Sequence, residues 1–143
     1  MTWDLLFSIS SMAVLPAWAW LILLPRWPAV RAIVLYGLIG ALCLAYAALV
    51  LVFFFRAEGG GFGSIVQVRA LFASDPVLLA GWLHYLAFDL LTALWIAQRL
   101  DADGVPRLLQ APVLAATFMF GPLGLLLGFA LVGAQAALAK SSS

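Results

Sequence analysis

Charged side chains are scarce in this chain of 143 residues, of which only 9% are Asp, Glu, Lys or Arg. Soluble domains carry a charge on about a quarter of their residues. The seven basic residues form no run and do not alternate with aromatic residues, so nothing in the sequence is suited to grip a phosphate backbone. The sequence excludes a soluble fold and predicts no nucleic-acid partner.

Cysteine and histidine are limited to one residue each, Cys43 and His84. A single cysteine cannot form an intrachain disulfide, and its place in an apolar run indicates a small packed hydrophobe. No spacing of His, Cys, Asp and Glu is typical of metal ligands. We therefore expect neither a metal site nor a cofactor.

Hydrophobic residues make up 66% of the sequence. A helix needs about 20 mostly apolar residues to cross the hydrocarbon core of a bilayer. Four spans meet this requirement, at residues 5–24, 32–55, 76–97 and 111–138. Backbone polar groups in a bilayer must be paired internally, and a chain this short without alternating strands cannot close a barrel. The sequence predicts an all-α, integral membrane four-helix bundle that forms a single domain over residues 1–143.

Breaks between the spans are expected near residues 25–31, 56–75 and 98–110. The second break contains an apolar stretch that is too short to span, and it is interpreted either as a helix on the membrane surface or as a plain loop. The sequence Ser-Asp-Pro at residues 74–76 leads into the third span and is typical of a helix start.

Proline and glycine indicate how the spans bend and pack. Pro16 is expected to kink the first span and Pro122 the fourth, because proline lacks an amide hydrogen and clashes with the preceding turn. Gly124 and Gly128 form a G-x-x-x-G pair, which lets helix backbones approach closely in a membrane. These residues are predicted to have structural roles, together with Gly121.

Two titratable residues lie deep in the third span. Counted from Pro76, His84 lies about 12 Å and Asp89 about 20 Å along the helix. An ionised acid at that depth costs at least about 2.5 to 3.5 kcal/mol, so Asp89 should face the protein interior and be paired or protonated. Tyr85 and Trp82 share the helix face of Asp89, whereas His84 diverges from it by about 140°. The pair is interpreted as a functional polar site, or else as hydrogen-bonding groups that only join helices.

The fourth span offers a wall for such a site. Pro122 leaves the carbonyl of Phe118 without its helical donor. The segment from residue 117 to residue 124, which includes Phe120, is either a kinked wall opposite His84 or Asp89 or a simple packing kink.

Two segments carry a resemblance to a known family. Residues 81–90 read GWLHYLAFDL and residues 118–124 read FMFGPLG, and both resemble the ABA4-like family of small membrane proteins. Plant members of this family are implicated in making neoxanthin from violaxanthin, an isomerisation that opens an epoxide and creates an allene without redox change. The resemblance implies that His84 and Asp89 are the acid and base candidates, with their order open.

The resemblance implies a carotenoid-handling membrane protein, with a non-redox xanthophyll isomerase as its more specific form. Its expected partners are membrane lipid and a carotenoid or another long apolar molecule. Such a molecule would lie in a cleft beside the third and fourth spans, bound by Trp82, Tyr85, Phe118 and Phe120 next to the catalytic pair. No plastid transit segment is evident, so we expect a bacterial inner membrane, either cytoplasmic or photosynthetic.

The alternative is a non-catalytic pigment- or lipid-binding subunit, which forms an oligomer or packs into a larger membrane complex of the photosynthetic type. Family members commonly carry a basic residue five positions after the motif aspartate, where this sequence has Leu94. The missing charge favours the alternative. A transporter is less well supported, because only two titratable groups lie in mid-membrane and no inverted repeat is evident.

Overall fold

The computed structural model describes residues 2–141, and within that range the chain forms helices and no strand. The prediction of an all-α fold is confirmed. In chain order the elements are α1 (Trp3–Leu23), α2 (Pro28–Ala32), a π-helical segment (Ile33–Ile39), α3 (Gly40–Phe53), a short 3-10 helix (Phe54–Arg56), α4 (Ile65–Phe72), α5 (Asp75–Ala102) and α6 (Arg107–Ser141).

Four helical stretches are long and apolar enough to cross a membrane, as judged by length and composition. They are Trp3–Leu23, Pro28–Arg56, Asp75–Ala102 and Arg107–Ala137. The second stretch runs without interruption through α2, the π-helical segment, α3 and the 3-10 helix. The prediction of four long apolar helices is confirmed.

The break predicted at residues 98–110 is wrong in length, because α5 continues to Ala102 and α6 already begins at Arg107. Hydropathy marks where apolar sequence ends, whereas a helix continues while its polar residues can pair. Arg99 pairs with Asp103 at 3.1 Å across one helical turn. Gly104 then ends the helix with a φ of 69°, a left-handed conformation that glycine adopts most readily.

The second predicted break contains a helix. α4 occupies Ile65–Phe72, and Ser64 caps it by accepting a hydrogen bond from the backbone amide of Gln67 at 3.2 Å. Of the two interpretations of this segment, the structure therefore supports a short helix.

The two long helices with internal proline behave differently. α1 continues through Pro16 to Leu23. α6 bends at Phe120, whose φ of −147° and ψ of 58° are not helical and which lies two residues before Pro122. The proline removes one helical hydrogen bond, which accounts for a bend at this turn of α6.

The chain divides into two compact units. The first comprises Met1–Leu15 and Ala32–Ala87, and the second comprises Pro16–Arg31 and Phe88–Ser143. The single domain predicted for residues 1–143 stays a prediction. α5 is the most enclosed long helix. In its most apolar stretch of 18 residues, 50% of the residues are buried, against 33% in α1, 33% in α6 and 11% in Pro28–Arg56.

Candidate functional site

The first unit contains a cavity of about 670 Å³ next to the beginnings of α1 and α5. Small-molecule sites typically enclose about 300 to 1,000 Å³ and have mostly apolar walls. The aromatic residues in the lining are Trp3, Phe7, Phe72, Trp82 and Tyr85. The cavity is thus of a size and character suited to a small apolar ligand or to one end of a long one.

Trp82 is held in place from three directions. Its indole nitrogen donates a hydrogen bond to Ser11 Oγ at 2.9 Å. Its ring lies 4.9 Å from the ring of Phe7 and stacks on Tyr85 with the ring centroids 5.4 Å apart. Because α1 and α5 both contribute to these contacts, Trp82 presents a fixed aromatic surface to the cavity.

Gly81 determines how closely α4 can approach α5. A Cβ atom at this position would lie 2.7 Å from the ring of Phe72, which is closer than real Cβ contacts. The absence of a side chain at Gly81 therefore allows Phe72 to form part of the cavity wall. The sequence motif includes Gly81, but helical periodicity alone assigned it no role.

Two carboxylates also line the cavity. Asp4 and Asp75 stand in the first turns of α1 and α5, where the helix dipole favours negative charge. Among the described residues that line the cavity, none is Lys or Arg. The cavity thus offers hydrogen-bond acceptors beside aromatic walls.

The sequence analysis placed Asp75 at a helix start and gave it no other role. The first and third helices of a chain that crosses a membrane back and forth begin on the same side. This topology could have predicted that Asp4 and Asp75 lie near the same end of the helices.

His84 does not belong to the lining of the aromatic cavity. Its ring lies 5.7 Å from the ring of Tyr46 on α3, and its side chain is exposed. Of the predicted site residues, the first unit therefore brings Trp82 and Tyr85 together in the cavity and places His84 beside Tyr46.

Asp89 belongs to the second unit and is buried, with 9% of its surface exposed. Its carboxylate lies directly against the backbone of Gly121, so that a Cβ atom at Gly121 would overlap Asp89 Oδ1. The carboxylate thus occupies the space that any side chain at position 121 would need. Even the methyl group of an alanine at position 121 would prevent this close approach of the carboxylate to the backbone.

The bend in α6 creates a second close approach. Residues seven apart in a straight helix are about 10.5 Å apart along the axis. Nevertheless, a Cβ atom at Gly124 would overlap backbone and side-chain atoms of Thr117. Thr117 is fully buried, and its hydroxyl donates to the carbonyl of Val113 at 2.8 Å. Gly121 and Gly124 together permit the bent conformation of α6.

The remaining predicted residues of α6 have different surroundings. Phe118 packs edge-on against Trp18, with the ring centroids 5.1 Å apart, whereas Phe120 is 59% exposed. Gly128 lies against Ile96 of α5, where a Cβ atom would come within 3.2 Å of that side chain. The cleft predicted beside the third and fourth spans stays a prediction.

Residues 2–141 contain no group of three or more His, Cys, Asp and Glu side chains placed to hold a metal ion.

The chain was compared with known protein families, curated proteins and solved structures. A family model described as ABA4-like, ABA DEFICIENT 4-like, matches residues 5–127, which is more than four fifths of the chain. The match includes every predicted site residue except Gly128. No curated protein and no solved structure matches the chain.

Proposed function

Because the chain belongs to the ABA4-like family, we propose that it is a carotenoid-handling membrane protein that holds one ring end of a carotenoid in the aromatic cavity. The observation that carries this proposal is the cavity of about 670 Å³ beside α1 and α5, which has five aromatic side chains in its lining. In this proposal the protein resides in a bacterial inner membrane.

The lining suits the chemistry of such a ligand. Aromatic side chains contribute large apolar contact areas with few rotatable bonds, so Trp82 and Tyr85 would pack on the ring and the first double bonds of the polyene. Asp4 and Asp75 would accept a hydrogen bond from a hydroxyl on the ring. The rest of the polyene would extend along the apolar helix surfaces.

In its finer form, the proposal is a xanthophyll isomerase with His84 and Asp89 as the acid and base. One group would donate a proton to the epoxide oxygen, and the other would remove a proton bound to carbon, so that no electron is gained or lost. The family resemblance of the motif supports these roles.

The alternative is a non-catalytic pigment- or lipid-binding subunit. Two observations favour it. Leu94, the position at which relatives commonly carry a basic residue, is 4% exposed, so a buried apolar side chain stands where a counter-charge would be expected. In addition, Gly40 and Gly133 have open space where a side chain would be, and small residues on open faces let a neighbouring helix approach.

Replacement of Trp82 by alanine is expected to reduce the carotenoid retained by the purified protein to a small fraction of the wild-type amount. The change removes a central wall of the cavity and the hydrogen bond to Ser11. The measurement is the ratio of carotenoid to protein absorbance after purification from carotenoid-producing cells.

Trp95→Ala provides the matched control, because Trp95 is 49% exposed, pairs with Phe129 and does not line the cavity. It should retain wild-type pigment. Equal pigment loss in both variants, or none in Trp82→Ala, would contradict the assignment of the cavity.

A further inference from the structure

A buried arginine joins the end of α1 to α5 and α6 in the second unit. The Arg26 side chain is only 7% exposed. Its Nε donates to the carbonyl of Leu21 at 3.0 Å, and its Nη1 donates to the Asp101 carboxylate at 2.8 Å and to the Gln110 side-chain oxygen. The amide of Gln110, which is itself fully buried, also donates to Asp101 at 3.0 Å. This network holds the guanidinium in place and balances the charge of Asp101.

One nitrogen of the same guanidinium is left over. Arg26 Nη2 is buried and has no hydrogen-bond acceptor among the side chains and backbone groups that the structure describes. An arginine side chain cannot give up its proton in a protein, so its donors must be satisfied by an acceptor. Buried donors of charged groups are costly when no acceptor is present. A ligand oxygen is the kind of group that would complete this site.

A cavity of about 360 Å³ lies beside Arg26. Its lining also includes Arg31, which is exposed and has no carboxylate within 4.0 Å among the described residues. Asp101 contributes the one acidic side chain of the lining. Two arginines and one aspartate leave the lining with a single positive charge, so the complementary ligand is an anion.

The position of the cavity favours a lipid over a free ion. The cavity lies next to the ends of the two long helices α1 and α5, which end at Leu23 and Ala102. Headgroup phosphates of a bilayer lie at the level where such helices end, and basic pockets between helices bind anionic headgroups. The lining also includes Leu94 and Ala97. Measured along α5 from its last residue, Ala102, they lie about 12 Å and 8 Å toward the middle of the helix. That apolar wall suits the glycerol and the first carbons of an acyl chain.

We propose that this cavity binds the phosphate group of an anionic phospholipid, with Arg26 Nη2 and Arg31 donating to its oxygen atoms. The site is separate from the aromatic cavity and does not depend on the carotenoid proposal. Arg26 is the buried part of the site, and Arg31 is its exposed part.

The test is a titration of the delipidated, full-length protein in detergent, followed by native mass spectrometry. Dioleoylphosphatidylglycerol is the anionic probe, dioleoylphosphatidylcholine is the zwitterionic probe with the same chains, and inorganic phosphate is the free ion. We expect the wild-type protein to retain phosphatidylglycerol preferentially. Arg31→Gln should raise its Kd by about tenfold or more, because one charge-assisted hydrogen bond is lost.

Arg69→Gln is the matched control, since Arg69 is an exposed arginine of α4 that lines neither cavity. This variant should bind as the wild type does, and Arg31→Lys should recover part of the affinity. Equal weakening by Arg31→Gln and Arg69→Gln would reduce the effect to general surface charge and overturn the proposal. Equal binding of phosphatidylcholine would overturn the preference for an anionic lipid, and equally tight binding of inorganic phosphate would overturn the assignment to a lipid.

Discussion

Asp89→Asn is expected to lower the conversion of violaxanthin by about 10² to 10⁴-fold while leaving the protein folded and pigmented, if the isomerase proposal holds. Asparagine keeps the shape of the side chain against Gly121 but cannot transfer a proton. His84→Gln should have an effect of the same order, because glutamine keeps a donor and an acceptor without the chemistry of the imidazole. Conversion is measured by chromatography of pigments from membranes that contain each variant.

Asp103→Asn provides the control for a lost carboxylate. Asp103 pairs with Arg99 at the end of α5 and belongs to neither candidate site, so its variant should convert at the wild-type rate. Wild-type conversion by both Asp89→Asn and His84→Gln would remove the acid and base roles and favour the non-catalytic subunit. An unchanged carotenoid pool after deletion of the whole protein would end the enzyme proposal altogether.

Gly121→Ala is expected to destabilise the protein by about 3 kcal/mol, because the added Cβ atom and the Asp89 carboxylate cannot occupy the same space. Either the buried acid leaves its position or α6 moves away from α5, and both changes disturb packed structure. The measurement is thermal unfolding in detergent, followed by circular dichroism.

Gly133→Ala is the matched control on the same helix, since a Cβ atom at Gly133 meets nothing within 4 Å. Alanine is the better helix former by about 1 kcal/mol, so this variant should be as stable as the wild type or slightly more stable. If both glycine variants unfold alike, the close approach of Asp89 to position 121 is wrong.

A double variant separates steric overlap from a general intolerance of alanine at position 121. Asp89→Ala removes the carboxylate that would collide with the new Cβ atom. The combination of Gly121→Ala with Asp89→Ala should therefore be less destabilised than the sum of the two single changes. Simple additivity would show that the two residues do not compete for the same space.

Much of the fold could be predicted because the decisive interactions are local. Each long helix pairs its own backbone groups, so an apolar run of sufficient length is enough to indicate a helix that can cross a membrane. The same reasoning was less accurate at the polar ends. α5 continues to Ala102, where the pair of Arg99 with Asp103 and the turn at Gly104 mark its end, and hydropathy reports neither feature.

The candidate sites were predicted only in part. The stripe that joins Trp82 to Tyr85 follows from helical spacing and is present as a stacked pair. Helical spacing cannot tell which neighbouring element faces a residue. The contacts of Trp82 with Phe7 and of Asp89 with Gly121 join positions far apart in the sequence, and the contact of Gly81 with Phe72 joins two different helices.

The sequence by itself determined the helical class, the number of long apolar helices and the family, because these depend on runs of residues and on a local motif. Only the tertiary structure decided that aromatic residues of α1, α4 and α5 line one cavity, and that Asp89 lies against Gly121. In a soluble protein the apolar side of a helix shows which face is buried. In a chain that is apolar on every face this information is nearly absent, since lipid and protein interior are equally favourable to such side chains. The buried faces are then chosen by where small residues allow close approach and where polar groups find partners, and both depend on neighbours that come from distant parts of the chain.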